Sequence, residues 1–183
     1  MSEVQKSKTS MKTGKVRFSY LNAFEAKAAQ EGQKPKFSVA LLIPKSDKAT
    51  VARIDACVEA AKELGKSKLV GTNGKYPPNL KTPLRDGDLE KPDDENYAGH
   101  WFMNASSGQK PGIVDANLQP IMSEAEIYSG CYGRADVNFY AFNTSGNKGV
   151  ACSLNNLQKL EDGEPLAGRM SAAAAFGEDN DLL

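Results

Sequence analysis

The chain has 183 residues, of which 40% are hydrophobic, and its 23 basic residues balance 23 acidic ones. This size and composition suit one domain around one hydrophobic core. Residues 1–13 lack the apolar run of a signal peptide, and no segment is long and apolar enough to cross a membrane. The sequence therefore predicts a soluble intracellular protein and argues against a secreted or membrane-bound one.

The zero net charge conceals a basic body and an acidic end. Residues 161–183 contain six acidic residues and one arginine, so residues 1–160 carry 22 basic side chains against 17 acidic ones, a net charge of +5. Such asymmetry is typical of a surface that binds polyanions, together with a segment that competes for it. We expect a flexible basic leader over residues 1–12, a folded domain over residues 13–160 and a disordered acidic tail over residues 161–183.

Two strands are predicted first along the chain. Residues 15–21 alternate, so that Val16, Phe18 and Tyr20 face the core while cationic residues face outward. Residues 35–44 form a second strand bounded by prolines. Its core-facing row consists of Phe37, Val39, Leu41 and Ile43.

One amphipathic helix is predicted after the second strand. Ser46 and Asp47 can cap its start, and Gly65 stands where a C-terminal cap is expected. Its apolar face would consist of Val51, Ile54, Val58, Ala61 and Leu64. Residues 66–96 then lose any period and are rich in glycine, proline and charge, which predicts a long loop.

Alternation resumes after this loop, and His100 is interpreted as a strand residue. The later predicted strands are residues 99–105, 113–114, 126–128, 134–143 and 149–154, with a turn at residues 115–117. Within residues 134–143, the inward row is Ala135, Val137, Phe139 and Ala141, and the outward row is Arg134, Asn138, Tyr140 and Phe142. Residues 155–160 are expected to leave the domain.

These elements predict a mainly β fold, a small antiparallel barrel with one main helix, a long Gly/Pro-rich loop and a disordered acidic C-terminal tail. The five-stranded OB-type barrel is the favoured member of this class. The alternative is an Ig-like sandwich. The single helix and the glycines at possible bends favour the barrel.

Catalytic and metal-binding signals are weak. Cys57, Cys131 and Cys152 are odd in number and lack CxxC spacing, so they are interpreted as small buried side chains rather than disulfides or zinc ligands. Asp86 and Asp88 fit a turn built on Asp-Gly, with a metal-dependent nuclease as the alternative. The sequence therefore predicts no catalytic residues, no metal site and no cofactor.

Cations and aromatic residues interleave in a way that suits single-stranded nucleic acid, whose phosphates bind cations and whose bases stack on rings. The predicted phosphate contacts are Lys15, Arg17, Lys36, Arg134 and Lys148, with Arg85 and Lys110 closing over the strand from loop rims. The predicted stacking residues are Tyr140, Phe142 and one of Trp101 and Phe102. The alternative for Tyr140 and Phe142 is packing under the long loop or the helix.

The acidic end carries apolar residues among its charges, namely Phe176, Glu178, Asp179, Asp181, Leu182 and Leu183. A tethered acidic segment has a high effective concentration at a cationic groove, so it can shield that groove until DNA displaces it. The same residues could dock a partner protein. A solubilising end is the alternative.

Six segments together carry a resemblance to a known family: residues 14–21, 36–44, 83–88, 110–115, 128–134 and 149–158. The chain resembles a tailed-phage family of single-stranded-DNA-binding proteins built on an OB-fold. The resemblance implies a non-enzymatic protein that binds single-stranded DNA during replication or recombination of a phage or prophage genome, in the cytoplasm of the infected or lysogenic bacterial host. A protein of phage assembly that does not bind DNA remains a further alternative.

The resemblance extends to the tail, which is similar in kind to the acidic tips of bacterial and other phage single-strand binders. Those tips commonly end on an aromatic residue, whereas this chain ends on Leu182 and Leu183. The expected partners are single-stranded DNA and phage or host replication or recombination proteins, with a homodimer as a possible assembly and no membrane.

Overall fold

The computed structural model describes residues 8–28 and 30–166. Within these ranges there are eight strands: β1 (Ser10–Lys12), β2 (Val16–Lys27), β3 (Lys36–Pro44), β4 (Arg85–Asp86), β5 (His100–Ser107), β6 (Gly112–Val114), β7 (Tyr132–Thr144) and β8 (Asn147–Glu161). The helices there are α1 (Lys48–Leu64), α2 (Lys66–Leu69) and α3 (Gly87–Glu90), with a 3-10 turn at Glu95–Tyr97. None of these helices combines the length and apolar character that a membrane crossing demands.

Five of the strands close into a barrel in the order β7-β2-β3-β5-β8, with β8 pairing back to β7. Neighbouring strands are antiparallel except β5 and β8, which run parallel where Ser106 aligns with Ser153. One sheet that closes on itself is a barrel, whereas the Ig-like alternative needs two separate sheets. The predicted OB-type barrel is therefore confirmed.

The barrel closes where β2 meets β7. Val16 pairs with Gly133 and Arg17 pairs with Tyr132. A Cβ at Gly133 would overlap the carbonyl oxygen of Gln158 and lie 2.7 Å from the ring of Phe18. Closure therefore depends on glycine, because any side chain there would push β2 or β8 away.

The core fills the barrel and continues under α1. Phe18, Leu41 and Phe139 are at most 1% exposed, and α1 adds Ile54 and other residues to the same cluster. The predicted helix is confirmed at both ends, since the carboxylate of Asp47 accepts a hydrogen bond from the Thr50 amide and Gly65 is the C-cap. Leu64 was assigned to the apolar face, and that assignment is wrong because its side chain is 77% exposed.

Tyr20 departs from the predicted alternation. Ser19 pairs with Ala40 and Asn22 pairs with Ser38, so β2 contains one more residue than β3 between these pairs, which is a β-bulge. Tyr20 takes a φ of +47° there and its side chain is 62% exposed. The prediction that Tyr20 faces the core is therefore wrong, and the left-handed backbone costs on the order of 1–3 kcal/mol.

Other boundaries also differ from the sequence-based prediction. Residues 126–128 lie in a turn region, where Ile127 is buried without belonging to a strand. Strand β8 continues to Glu161, so residues 155–160 remain in the barrel. Residues 10–12, assigned to the leader, form β1 against β7.

Polar side chains and thiols fit this framework. His100 begins β5, as expected. All three cysteines are free and buried, which confirms the prediction for them, and burial raises the pKa of each thiol. The predicted long loop at residues 66–96 contains α2, β4, α3 and the start of the 3-10 turn, so much of it has regular structure.

Gly133→Ala should destabilise the barrel by about 1–3 kcal/mol, because the added methyl group would be forced into the closed β2–β7 junction. The measurement is urea unfolding followed by circular dichroism. The matched control is Gly108→Ala, where the added methyl group meets no atom within 4 Å. Equal stability of both variants would show that β2 and β7 are not held as closely as described.

Candidate nucleic-acid interface

The outward side of β3 and β5 forms a continuous surface, called the outer face below. Val39, Leu41 and Ile43 point into the core, so the alternate residues of β3 point outward. The cross-strand pairs Leu42–Phe102, Ala40–Asn104 and Ser38–Ser106 place β5 residues beside them. The outer face consists of Lys36, Ser38, Ala40, Leu42, Phe102, Asn104 and Ser106.

One half of the outer face is covered by the chain itself. Leu42, Tyr97 and Phe102 form a separate buried cluster in which no member is more than 3% exposed. The rings of Tyr97 and Phe102 meet edge to face at 5.2 Å and 82°. The Tyr97 hydroxyl contacts Ser19 Oγ at 3.4 Å. We call this covered region the closed half, and the segment 86–99 that covers it the covering loop.

Burial raises the pKa of Tyr97, and the nearby Tyr20 adds to the increase. Tyr97 is 2% exposed, whereas Tyr20 is 62% exposed. The sequence left open which of Trp101 and Phe102 is available for stacking. Phe102 is 3% exposed and belongs to the closed half. Trp101 is partly buried against the main core, and the Lys45 ammonium lies 4.9 Å from the centre of its ring. In this conformation Phe102 offers no free face to a base.

A pair of carboxylates holds the covering loop in place. Lys45 Nζ lies 2.7 Å from both Asp86 Oδ1 and Asp88 Oδ2, and the Gly99 amide donates to Asp88 Oδ1 at 3.0 Å. Bonding to Lys45 lowers the pKa of Asp86 and Asp88, and the two carboxylates raise the pKa of Lys45. Both carboxylates assigned to the nuclease alternative therefore serve as anchors for the loop.

The other half of the outer face is open, and we call it the open half. Lys36 and Asn104 are exposed, and Ser38 and Ser106 are partly exposed. Neither Lys36 nor the adjoining Lys34 forms an ion pair with any residue that the structure describes. The open half thus combines free cations with polar side chains that can donate and accept hydrogen bonds.

Two predicted cations are bound to the protein itself. Arg17 donates to the Gly130 carbonyl at 3.0 Å, to Asn96 Oδ1 at 3.2 Å and to the Glu164 carbonyl at 2.7 Å. Lys15 pairs with Glu161 at 2.7 Å. Both cations also lie over the ring of Tyr132. Arg17 therefore connects the barrel, the covering loop and the chain beyond β8.

The predicted loop cations each lie over a ring. Arg85 donates to Glu90 Oε1 from Nε at 2.9 Å and lies 5.3 Å from the Phe102 centroid, above the closed half. Lys110 lies 5.0 Å from the centroid of Phe24. Arg85 therefore reinforces the covering loop, while Lys110 forms no ion pair in the described chain.

The remaining predicted residues form a second group on β7 and β8. Arg134 donates from Nε to the Thr13 carbonyl at 2.7 Å. Tyr140 is 42% exposed and Phe142 is partly buried, beside the small residues Ala151 and Gly149. Lys148 pairs with Asn143 near the hairpin turn. In the barrel order, β2 lies between β7 and β3, so it separates this group from the outer face on that side.

The C-terminal chain reaches the closed half before the described residues end. The Tyr128 hydroxyl donates to Asp162 Oδ1 at 2.9 Å, and the Leu166 amide donates to the Ser129 carbonyl at 2.9 Å. Leu166 also packs against the buried cluster of the closed half. The predicted tail residues from Phe176 to Leu183 lie outside the described residues.

Sequence reasoning missed two features of this surface. Tyr20 is an exposed aromatic residue beside the outer face, but its alternation placed it in the core. Tyr97, which fills the closed half, lies between the predicted loop at residues 66–96 and the predicted strand at residues 99–105, where no element was predicted. The β-bulge that exposes Tyr20 could not be recognised from the local sequence. A residue that favours positive φ would have indicated it, and tyrosine does not favour positive φ.

Comparison with known proteins decides the family. The family model for the Enterobacter phage Enc34 ssDNA-binding protein matches residues 9–183. The chain belongs to this family. The resemblance inferred from the sequence is thereby confirmed, and because the family consists of DNA-binding proteins, so is the prediction of a non-enzymatic protein.

Solved structures agree with the family. The single-stranded DNA-binding protein from bacteriophage Enc34 in complex with ssDNA is 26% identical over 87% of this chain and 90% of that one, with a TM-score of 0.77. A C-terminal truncation of the Enc34 protein is 26% identical over 86% and 88%, with a TM-score of 0.73. The single-stranded DNA-binding protein gp2.5 of bacteriophage T7 is 14% identical with a TM-score of 0.60 and shares the fold.

One curated relative also matches. The chain is 38% identical over 100 residues to putative protein p50 of Acyrthosiphon pisum secondary endosymbiont phage 1. The alignment covers 54% of this chain and 52% of p50, so the chain spans about half the length of that relative.

Lys45→Met should release the covering loop, because Asp86 and Asp88 would no longer share a cation. Hydrogen exchange at neutral pH should rise in residues 86–99 and stay unchanged in β7 and β8. The matched control is Lys48→Met, since Lys48 forms no ion pair within the described chain. Unchanged exchange in Lys45→Met would contradict the anchoring role.

The same ion pairs predict a pH dependence. The folded-state pKa values of Asp86 and Asp88 lie below their ordinary value of 3.8. The ion pairs therefore contribute stability above that pH, and this stability disappears as pH falls through the lowered values. The stability difference between wild type and Lys45→Met should shrink as pH is lowered below 3.8, measured by thermal unfolding.

Proposed function

We propose that this protein binds single-stranded DNA without sequence preference, in the replication or recombination of phage or prophage DNA within the cytoplasm of the bacterial host. One observation carries the proposal: a relative solved in complex with ssDNA shares the fold over 87% of this chain. The family match over residues 9–183 supports it. The open half supplies the chemistry that such binding needs, free cations beside polar side chains.

The open half is the proposed primary contact. OB-type barrels receive oligonucleotides on the face of their second and third strands and on adjoining loops. Those strands are β3 and β5 in the closed barrel. Lys34 and Lys36 would bind phosphates at one end of this face, with Lys110 as a further cation. Ser38, Asn104 and Ser106 would bond to base edges or sugars.

The group on β7 and β8 is the proposed secondary contact. Arg134 and Lys148 would bind phosphates there, and Tyr140 and Phe142 would stack on bases. A strand that touches both groups must pass around the barrel, so this contact should matter for long strands more than for short ones. Arg17 and Lys15 would act mainly by holding the surrounding chain, since their bonds to the protein are already made.

The acidic tail is proposed to compete with DNA. Leu166, the last described residue, lies on the closed half and therefore beside the open half. A tail that starts there has a high effective concentration at the DNA site. Glu178, Asp179 and Asp181 would meet the free lysines, and Phe176, Leu182 and Leu183 could dock a replication or recombination protein once DNA displaces the tail.

Lys34→Ala/Lys36→Ala should weaken binding of oligo-dT and flatten its salt dependence. On a single strand, removing one lysine–phosphate ion pair should lower the slope of log K against log[salt] by about 0.7, so removing two should lower it by about 1.4. Fluorescence anisotropy over a range of salt concentrations measures both quantities. Lys66→Ala/Lys68→Ala on α2 is the control and should leave the slope unchanged.

The same titrations distinguish the two proposed contacts. Tyr140→Ala/Phe142→Ala should weaken binding of a long oligonucleotide by at least about tenfold, because each stacked base contributes about 1–3 kcal/mol. A strand too short to reach β7 should be less affected. No affinity of the wild-type protein for any strand would overturn the proposed function and favour a role in phage assembly.

Deletion of residues 178–183 should tighten binding of single-stranded DNA, because it removes the acidic competitor. The increase should be largest at low salt, where attraction between the tail and the lysines is least screened. Replacing Glu178, Asp179 and Asp181 by the corresponding amides is the matched control, since it keeps the chain length and removes only charge. Equal affinity with and without these residues would leave the tail without a competing role.

A further inference from the structure

Tyr20 occupies a backbone conformation that its side chain disfavours. Its φ of +47° lies in the left-handed region, where glycine, asparagine and aspartate are common and a bulky residue is an outlier. Neighbouring groups hold the bulge in place: the Leu21 amide donates to Ser129 Oγ at 2.9 Å, and Asn22 Nδ2 donates to the Tyr20 carbonyl at 3.3 Å. The bulge is therefore built into the sheet.

The bulge turns the tyrosine away from the core. Without the extra residue, Tyr20 would continue the inward row of Val16 and Phe18, which are 1% and 0% exposed. Its side chain is instead 62% exposed. Glycine could make the same bulge at no steric cost, so the aromatic side chain needs a reason of its own.

The surroundings of Tyr20 point to that reason. It lies between the pairs Ser19–Ala40 and Asn22–Ser38, at the boundary between the closed half and the open half of the outer face. Asn22 Nδ2 also lies 3.4 Å from Ser38 Oγ, so the polar side chains beside the ring are themselves positioned. An exposed ring at the border of a surface that carries free cations and fixed polar groups is an arrangement that can receive an unpaired base.

We propose that Tyr20 is a base-stacking residue of the open half and that it makes the site prefer single-stranded DNA to duplex. This proposal rests on the proposed function. Lysines attract the phosphates of either form. A ring can stack only on a base whose face is free, and in a duplex both faces of every internal base are already stacked. Tyr20 therefore adds affinity for the single strand alone.

Three substitutions of Tyr20 test this, each titrated with labelled oligo-dT and with a duplex of equal length by fluorescence anisotropy. Tyr20→Ala should weaken affinity for the single strand by about fivefold or more and change that for the duplex little. Tyr20→Phe should retain both affinities, because stacking needs the ring and not the hydroxyl. Tyr76→Ala removes another exposed tyrosine, 38% exposed in the loop after α2, and should change neither.

Tyr20→Gly separates binding from folding. Glycine relieves the left-handed strain, so this variant should be at least as stable as wild type in urea and yet bind the single strand as weakly as Tyr20→Ala. If Tyr20 served only the fold, Tyr20→Gly would be less stable than wild type and would bind the single strand with unchanged affinity. Oligonucleotides carrying 5-iododeoxyuridine should also crosslink to the peptide that contains Tyr20 when irradiated.

The outcomes distinguish the two proposals. If wild type binds neither single strand nor duplex, the proposed function fails and the Tyr20 proposal fails with it. If wild type binds the single strand and Tyr20→Ala and Tyr20→Gly bind it equally well, the proposed function stands and the role of Tyr20 is overturned. Equal reductions in affinity for single strand and duplex would overturn the claim of selectivity.

Discussion

Closure of the barrel between β2 and β7 is the constraint on which the rest of this structure depends. It places Val16 opposite Gly133, and the missing side chain lets the Phe18 ring and the β8 backbone approach together. The closed sheet has an interior, which the core fills, and an exterior, of which one part is covered by the chain and another part is open. The next pair along, Arg17 with Tyr132, uses its outward arginine to hold the covering loop and the chain beyond β8.

The exterior is organised by what covers it. Tyr97 fills the half of the outer face around Leu42 and Phe102, and Lys45 holds that loop through two carboxylates. A barrel face that would otherwise expose Leu42 and a phenylalanine is thereby made stable in water. What remains open is polar and cationic, with Tyr20 at its boundary. The covering loop therefore limits the proposed DNA contact to the open half, as much as β3 and β5 position it.

Much of the fold and part of the candidate site could be predicted from the sequence. Val39, Leu41 and Ile43 of β3, the inward row of β7 and the capped helix α1 follow from periods of 2 and 3.6 with proline and glycine at the ends, whereas Phe37 of the predicted row is only partly buried. Lys36 and Tyr140 are outward by the same alternation. Phe102 shows the limit of that reasoning, because alternation left open whether Trp101 or Phe102 faces outward and does not say that Tyr97 lies over Phe102.

The sequence by itself determined the class of fold, the position of the main helix and the separation of a basic body from an acidic end, because these depend on local periodicity, caps and composition. The family followed from the resemblance of six segments to a known family, which the match over residues 9–183 confirms. Only the tertiary structure decided which outward residues are free. Arg17 and Arg85 are bonded to the protein while Lys36 is not paired with any residue in the described ranges, and Tyr20 leaves the core through a bulge. These outcomes depend on partners far away in the chain, and strand alternation carries no information about them.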